Sequence, residues 1–502
     1  MSLYIMKLNE RIEKILEHLS ENMYEREHII ALTLLGALSG TNTFLLGSPG
    51  TAKSLISRKI SQAFNQPKYF EYLMNRFSTP EEVFGPVSIK ALKEDKYTRK
   101  IENYLPNTDF AFLDEIWKSS PAILNALLTL VNEKLFKNGD EIVHVPLKAL
   151  VSASNEIPPE NQGLEALYDR FILRLIVNPI EDKDNFLNLI SNKPSSSKVD
   201  IDPKLLIKEE EWKKWLDEIH KVSFSSEINN VILMIRKLIS DLPEDQRIYV
   251  SDRRWQRAAY LLKAAAFFNG RTEVLLSEIF LLKYCLWNKE DNFSQISQII
   301  ENSIGLIGID SGIETSSLIE QVQKLEKEIT NELYYSEDIY STHMISGQEY
   351  FKFQFDNQDV YINIDLKGKD KDFYPIDING NEFRRYSCNF NKSGTCTIKE
   401  SGYYRREEKK TPKVQFKKGT KKSQVNDRLI KALETEVDNK LNSFKNALAT
   451  VNQCNEKYKE QYDSIFITDK ELTFLLKSIK KQIESLETHI QDCERLKSLC
   501  DN

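Results

Sequence analysis

The amino-acid sequence predicts an α/β core in which helices flank a parallel sheet, followed by helical segments and a small antiparallel β module. Three observations support this prediction. Short apolar runs alternate with helical patterns over residues 1–190, and a helical pattern continues over residues 191–305. In the last third of the chain, the apolar period changes from about 3.6 residues to about 2 and then back. A chain of 502 residues is also too long for one hydrophobic core, so we expect several domains.

Short apolar runs are predicted to form the strands of the parallel sheet. They span residues 44–46, 69–72, 110–113, 150–154 and 172–177. Because helical patterns separate these runs, the strands are expected to pair in parallel, with helices packed against the sheet.

A glycine-rich turn follows the first run and precedes a predicted helix. The turn and the start of that helix read Gly47-Ser48-Pro49-Gly50-Thr51-Ala52-Lys53-Ser54-Leu55. Such a turn directs several backbone N–H groups into one concavity at the positive end of the helix dipole, which suits the phosphates of ATP. Lys53 is expected to reach the β- and γ-phosphates, and Ser54 to coordinate Mg²⁺. The alternative is a glycine turn that only caps a buried helix.

Ala52 departs from the usual phosphate-binding pattern, which has a second glycine immediately before the lysine. Alanine is sterically acceptable at this position if the residue already has helical dihedral angles. We therefore expect Ala52 to adopt a right-handed conformation in the first turn of the helix.

Two adjacent acidic residues end the third apolar run. Asp114 and Glu115 directly follow residues 110–113. Asp114 is expected to hold the Mg²⁺ shell, and Glu115 to polarise the water that attacks the γ-phosphate. An isolated Asp-Glu pair is commonly a solvated turn, but the glycine-rich turn independently requires such a pair.

Three further segments place polar residues where a triphosphate would need them. Asn155 ends the fourth run, and its amide could hold the attacking water. Arg170 lies at a helix end just before the fifth run, and its alternative role is a salt bridge to Asp169. Arg253 and Arg254 fall in the first turn of a helix, where the dipole disfavours positive charge unless an anion compensates. The sequence leaves open which of these two arginines contacts a phosphate.

In this order, the motifs resemble Walker A, Walker B, sensor 1, the arginine finger and sensor 2 of AAA+ ATPases. The amino-acid sequences of residues 71–86, 113–118 and 164–170 are similar to those of the RavA-like group within the MoxR family. The family also tolerates alanine before the P-loop lysine. The resemblance covers roughly residues 10–290, and beyond residue 305 it concerns layout more than motif.

The resemblance implies a ring, expected to be a hexamer, that hydrolyses ATP with Mg²⁺ and remodels or matures partner proteins in a chaperone-like way. Residues 191–305 would form an α-helical lid that carries sensor 2 at Arg253, and Tyr24 would contact the adenine. Arg170 would complete the site of the neighbouring subunit. The implied partners are a von Willebrand factor A-domain protein of the ViaA type and inducible lysine decarboxylase.

The last third of the chain combines long helical stripes with a β pattern. Residues 306–338 and 422–502 carry apolar stripes that one or two helices could not bury alone, so we predict a discontinuous three-helix stalk. Thr468 and Glu471 form a capping-box pattern before the last helix. Between the two stalk segments, residues 339–421 are predicted to form an inserted antiparallel β module. Its apolar alternation runs through residues 351–355, 360–366, 376–378 and 386–390. In RavA-like chains the module at this place, the LARA domain, docks another protein.

Composition narrows the classes of function. The formal charge of −6 is not that of a nucleic-acid-binding chain, and the six cysteines show no zinc-site spacing. The N-terminus lacks a signal-peptide core, and the apolar stretches fall short of the roughly 20 residues that span a bilayer. We therefore expect a cytoplasmic protein with reduced thiols.

One segment favours a different function. Residues 403–422 contain nine Lys or Arg and two Glu, with interleaved aromatic residues, which is a composition found in nucleic-acid-binding patches. The alternatives are a solvated loop and a DNA-associated, helicase-like motor. A nucleotide-gated scaffold with little turnover is disfavoured, because Glu115 and Asn155 are both present.

Overall fold

The computed structural model describes most of the chain in two compact units. The described residues are 6–159, 163–193, 195–309, 311–334, 338–356, 358–367, 369, 371–391, 394–400, 407–412, 414–416, 422 and 425–501. The first unit comprises residues 1–310 and 449–484, and the second comprises residues 311–448 and 485–502. Much of the basic stretch 403–422 lies outside the described residues, so its predicted roles remain predictions.

The α/β core occupies the first part of the first unit. Its helices are α1 (Leu8–Ser20), α2 (Glu27–Leu38), α3 (Lys53–Ser61), α4 (Pro80–Phe84), α5 (Ile89–Leu92), α6 (Pro121–Glu133), α7 (Glu165–Tyr168) and α8 (Lys183–Ser191). Its strands are β1 (Thr43–Leu46), β2 (Tyr69–Leu73), β3 (Phe110–Asp114), β4 (Leu135–Asn138), β5 (Glu141–His144), β6 (Ala149–Ser154) and β7 (Leu173–Ile176).

Five of these strands form the predicted parallel sheet, in the order β2-β3-β6-β1-β7. The fold-class prediction is therefore confirmed. β1, β3 and β6 lie inside the sheet and are almost entirely buried, which explains why their residues are continuous apolar runs. β4 and β5 form a separate antiparallel hairpin.

The helical lid follows the core. It consists of α9 (Glu209–Ile219), α10 (Ser226–Ser240), α11 (Asp252–Phe268), α12 (Leu276–Ile279), α13 (Lys283–Leu286) and α14 (Glu290–Ile307). Residues of the C-terminal region that belong to the same unit pack against the lid. Lys283 pairs with Glu471 at 2.7 Å, and the rings of Phe280 and Phe474 meet edge to face.

The second unit contains the three predicted long helices. They are α15 (Thr315–Leu333), α16 (Asp427–Tyr458) and α17 (Asp469–Asp501), and the last two also contribute residues to the first unit. In α15 the predicted apolar stripe is buried at Val322, Leu325, Ile329 and Leu333. Arg495 of α17 pairs with Glu326 of α15 at 2.6 Å, and Lys497 pairs with Asp438 of α16 at 2.7 Å. The capping box of α17 is present, because the Thr468 amide donates to the Glu471 carboxylate at 2.6 Å.

The β module of the second unit is antiparallel, as predicted. Its strands are β8 (Asp338–Tyr340), β9 (Thr342–Ile345), β10 (Gln348–Phe355), β11 (Gln358–Asn363), β12 (Tyr386–Phe390), β13 (Cys396–Glu400), β14 (Glu407–Lys410) and β15 (Val414–Phe416). They form sheets in the orders β11-β10-β9 and β12-β13-β14 and a pair β15-β8. Aromatic and aliphatic side chains from both three-stranded sheets share one buried core that includes Phe351, Phe355 and Tyr386.

Two details of the predicted alternation in the β module are wrong. Residues Ile364–Leu366 form a 3₁₀ turn and do not continue β11. Residues 376–378 contribute only isolated bridges, and Ile378 is 66% exposed, so an apolar residue there did not indicate a buried strand.

In the part of the chain that the structure describes, no helix is both long and apolar enough to cross a membrane.

Candidate nucleotide-binding site

The glycine-rich turn connects β1 to α3 at the end of the parallel sheet. The Gly47 amide donates to the Ser154 carbonyl of neighbouring β6 at 3.1 Å, which fixes the start of the turn. A Cβ on Gly47 would lie 2.3 Å from the carbonyl oxygen of Val177, so only glycine fits. A Cβ on Gly50 would meet nothing within 4 Å, although its φ of 82° favours glycine. The space beside Gly50 is therefore open to a ligand.

Ala52 does not have the right-handed conformation expected from the sequence. Its φ of 68° and ψ of 22° place it in the left-handed region, immediately before α3 begins at Lys53. A non-glycine residue in this region costs about 1–2 kcal/mol. The turn therefore requires the conformation that the usual glycine supplies, and alanine adopts it under strain. No side chain caps the start of α3, which leaves its first backbone N–H groups suited to a phosphate.

Lys53 is enclosed by the turn that it is expected to serve. The residue is 7% exposed, and Nζ donates to the carbonyls of Gly47 at 2.7 Å and Ser48 at 2.9 Å. Burial lowers the pKa of Lys53, and the nearby carboxylates of Asp114 and Glu115 oppose this shift. The structure thus brings the predicted lysine and the predicted acidic pair together.

The acidic pair lies at the carboxyl end of β3, between β2 and β6. Burial raises the pKa of Asp114, whereas a hydrogen bond from the Glu115 amide and the charge of Lys53 lower it. Glu115 has a left-handed backbone with φ 51° and ψ 42°. Its Oε2 lies 3.1 Å from Lys118 Nζ and 3.5 Å from Ser154 Oγ. These two contacts orient the carboxylate that was predicted to polarise water.

Asn155 follows β6 and is exposed, while the preceding Ser154 is buried and contacts Glu115. Sequence reasoning did not single out Ser154, because a serine at the end of an apolar strand carries no distinctive signal. The role predicted for Asn155 remains a prediction.

The segment that carries Tyr24 is tied to the glycine-rich turn. Arg26 donates to the Thr51 carbonyl at 3.4 Å and to the Asn178 carbonyl at 2.6 Å. Tyr24 is half-buried, and its hydroxyl accepts a hydrogen bond from Asn192 at 2.7 Å. Sequence reasoning missed Arg26, whose position beside the turn depends on long-range folding. The segment is therefore close to the turn, as an adenine contact requires.

The arginines of the last two motifs lie near one another. Asp169 accepts a hydrogen bond from Ser251 at 2.7 Å and pairs with Arg254 at 3.3 Å. Arg170 instead donates to the Ala166 carbonyl, so the alternative salt bridge from Arg170 to Asp169 is not formed. Burial lowers the pKa of Arg170, and the positive charge of Arg253 lowers it further.

The structure also distinguishes the two adjacent arginines of α11. Arg254 is 3% exposed and bound to Asp169 and Asn288, whereas Arg253 is exposed. Arg253 is therefore the one of the two that a ligand can reach. Within the described residues, no hydrogen bond or ion pair joins Arg170 to the glycine-rich turn of its own chain.

Comparison with known proteins agrees with this geometry. Residues 10–208 match a family described as the MoxR domain in the MoxR-vWA-beta-propeller ternary systems, and residues 227–300 match the AAA lid domain. Two uncharacterized proteins of Methanocaldococcus jannaschii are similar. The first is 37% identical over 321 residues, 63% of this chain and 83% of its own length. The second is 38% identical over 293 residues, 58% of this chain and 73% of its own length.

More distant likenesses were also found. A structural protein of Acidianus two-tailed virus is 25% identical over 296 residues, 54% of this chain and 48% of its own length. A crystal structure of a proposed ATPase from Cytophaga hutchinsonii is 21% identical and covers 59% of this chain and 94% of its own, with a TM-score of 0.47.

A parallel sheet that ends in a glycine-rich turn and an acidic pair, followed by a helical lid, defines a P-loop ATPase of the AAA+ class. The matched MoxR and lid domains make the narrower assignment. The chain belongs to the MoxR family of AAA+ ATPases.

Proposed function

We propose that this chain hydrolyses ATP to ADP and phosphate in a hexameric ring, at sites that neighbouring subunits complete. The observation that carries the proposal is the convergence of Lys53, Asp114 and Glu115 at the end of the parallel sheet. An enclosed lysine beside a glycine-rich turn and two carboxylates suits a triphosphate and its metal ion. The open space at Gly50 and the uncapped start of α3 fit the same ligand.

Residues 47–55 hold the nucleotide in this proposal. Lys53 exchanges its contacts with the turn's own carbonyls for the β- and γ-phosphates, and backbone N–H groups of the turn donate to the same phosphates. Ser54 and Asp114 hold Mg²⁺, which when bound neutralises charge on the phosphates. Tyr24 contacts the adenine.

Glu115 accepts a hydrogen bond from the attacking water and polarises it, and Asn155 orients that water. The contacts of Glu115 with Lys118 and Ser154 involve Oε2, which leaves Oε1 to face the water. An ionised carboxylate has about four acceptor sites, so these roles are compatible.

Arg170 acts on the ATP of the neighbouring subunit, and Arg253 contacts a phosphate. Their proximity supports this assignment. Two guanidinium groups that raise one another's electrostatic energy are stabilised when an anion lies between them or beside them. An arginine supplied in trans to the γ-phosphate contributes about 10³–10⁵ in rate.

We further propose a RavA-like, chaperone-like role in which ATP hydrolysis remodels partner proteins. The matching family is described from systems that combine MoxR with a von Willebrand factor A domain, which supports a ViaA-like partner. The β module, which the structure shows as a distinct antiparallel element with its own core, is proposed to dock inducible lysine decarboxylase.

Mixed rings test the shared site. Arg170→Ala and Glu115→Gln should each be nearly inactive alone. When the two variants are mixed, some interfaces combine Glu115 from one chain with Arg170 from the other, so ATP hydrolysis should partly return. The matched control mixes Lys53→Ala with Glu115→Gln, whose defects lie in the same half of the site and should not complement, and both mixtures are measured for phosphate release and subunit exchange. A mixture of Arg170→Ala and Glu115→Gln that forms mixed rings yet stays inactive would contradict sites shared between subunits.

A further inference from the structure

Two buried arginines connect the segment that carries Arg170 to the lid. The first is Arg174 on β7, which is fully buried. Its guanidinium donates to the Phe171 carbonyl at 3.0 Å and the Tyr168 carbonyl at 2.8 Å. It also donates to the Trp287 carbonyl in the lid at 2.6 Å. Hydrogen bonds from the buried Arg174 therefore hold the backbone at Tyr168 and Phe171, on both sides of Arg170.

The second buried arginine is Arg254 on α11. Both guanidinium groups donate to the side chain of Asn288, which lies just before α14. Its Oδ1 accepts from Arg254 at 2.7 Å and from Arg174 at 3.0 Å. Its Nδ2 donates to the Tyr249 carbonyl at 2.7 Å, and its backbone carbonyl accepts from the Tyr168 hydroxyl at 3.1 Å. Through its side-chain amide and its backbone carbonyl, Asn288 therefore joins the lid to β7 and to the end of α7.

Asp169 completes this network beside Arg170. It binds Arg254 and Ser251, both at the start of α11. α7 has only four residues, so it cannot fix the direction of Arg170 by its own helical hydrogen bonds. The lid residues bound to Asp169 and to the end of α7 supply that restraint.

The network is sensitive to the loss of a single acceptor. It encloses two guanidinium groups with one carboxylate, and burial lowers the pKa of Arg254 and lowers that of Arg174 to about 9. A buried charge that loses its hydrogen-bond partner is strongly disfavoured. Removing the Asn288 side chain would deprive both arginines of the same acceptor, and they would have to shift.

We propose that Asn288 is a positioning residue for ATP hydrolysis in the neighbouring subunit. Through Arg174, Arg254 and Asp169, it fixes the direction in which Arg170 leaves the end of α7. The lid above one nucleotide site thereby sets the position of the arginine presented to the next. This inference rests on the proposed action of Arg170 in trans.

Asn288→Ala tests the inference. A displacement of about 1 Å at a positioned catalytic group can cost about 10²-fold in rate, so turnover should fall by about that factor. Binding of a fluorescent ATP analogue should change less than about threefold, because the variant's own turn is intact. Asn288→Asp keeps the acceptor for both arginines and should recover most of the lost rate. Asn292→Ala, a matched change in the first turn of the following helix α14, should hydrolyse ATP within about twofold of the wild-type rate.

The decisive readout is rescue in trans. Mixed with Glu115→Gln, the Asn288→Ala chain supplies Glu115 and receives an Arg170 held by an intact network, so hydrolysis should partly return. A chain damaged in its own nucleotide site would not be rescued in this way. Should Asn288→Ala fail to fold, Ser251→Ala removes the hydrogen bond from the Ser251 hydroxyl to Asp169 in the same network and should give the same rescue after a fall of about tenfold.

The outcomes distinguish a failure of this inference from a failure of the proposed function. If the Arg170→Ala mixture recovers activity and the Asn288→Ala mixture does not, Asn288 does not position Arg170. Wild-type turnover by Asn288→Ala overturns the inference as well. If neither mixture recovers although mixed rings form, Arg170 does not act in trans, and the proposed function and this inference fail together.

Discussion

In the nucleotide site the charged side chains are enclosed by the protein, whereas in the β module they pair at the surface. Lys53 is 7% exposed and lies near two carboxylates at the end of a parallel sheet. In the β module, the exposed side chains of Lys352 and Asp359 pair at 2.7 Å, and the exposed Arg385 pairs with the partly buried Glu400 at 2.6 Å. The interior of that module is instead an apolar and aromatic cluster.

The two regions also differ in where the backbone is left-handed. In the β module, Ser346 and Asp356 have positive φ in the tight turns that join neighbouring strands, where hairpin geometry favours it. In the nucleotide site, Ala52 and Glu115 have positive φ beside the residues predicted to perform the chemistry. At Ala52 and Glu115 the strained backbone lies beside enclosed charge, and proteins commonly tolerate such costs at sites that bind a ligand or perform a reaction.

The largest expected effect comes from removing the β module. Replacing residues 340–418 with a short Gly/Ser linker should leave ATP hydrolysis and ring formation nearly intact, because the nucleotide motifs lie elsewhere. Binding of purified inducible lysine decarboxylase should be lost. The measurement combines phosphate release, native mass spectrometry and a binding assay. Collapse of ATP hydrolysis with binding preserved would mean that the module belongs to the motor.

A substitution in the core of the β module should lower the stability of that module without changing the rate of ATP hydrolysis. Phe351 is 1% exposed, and Phe351→Ala should destabilise the module by about 3–5 kcal/mol. Amide hydrogen exchange of β10 and β13 should accelerate while ATP turnover stays unchanged. The adjacent Lys352→Ala, on the opposite face of β10, should leave exchange nearly as it was. A large fall in turnover with Phe351→Ala would show that the two regions are energetically coupled.

A small effect is expected at Ala52. Ala52→Gly relieves the left-handed strain but adds backbone freedom to the unfolded chain, so the gain in stability should not exceed about 1 kcal/mol. Ala432→Gly, at an exposed position inside α16, should instead lose about 1 kcal/mol. Urea midpoints of the two variants should therefore move in opposite directions. Equal losses would mean that Ala52 is not strained.

Much of the fold could be predicted because the pattern of apolar residues along a strand matches the faces on which that strand is buried. β1, β3 and β6 are buried on both sides, so each is an unbroken apolar run. Phe351, Phe353 and Phe355 alternate with exposed residues because β10 has one buried face. Where a run faced solvent, as at Ile378, the same reasoning failed, because an apolar side chain does not by itself imply burial.

The residues of the candidate site could be named from sequence motifs, but the backbone conformation at Ala52 could not be predicted. Lys53, Asp114 and Glu115 were identified from motifs, and the structure brings them together. The left-handed angles of Ala52 were not foreseen, because the turn's path imposes them over the preference of alanine. Arg26 and Asn288 were missed, since their partners lie far along the chain and no local pattern marks them.

The most direct test of the account is ATP binding and turnover by Glu115→Gln beside Lys53→Ala. Glu115→Gln keeps the shape of the side chain but removes its basicity, so it should bind ATP like the wild type and hydrolyse it about 10²–10⁴ times more slowly. Lys53→Ala should lose ATP binding itself, because it removes the enclosed charge that faces the phosphates. Equal turnover by Glu115→Gln and the wild type would contradict the assignment of the catalytic carboxylate and, with it, the proposed ATPase site.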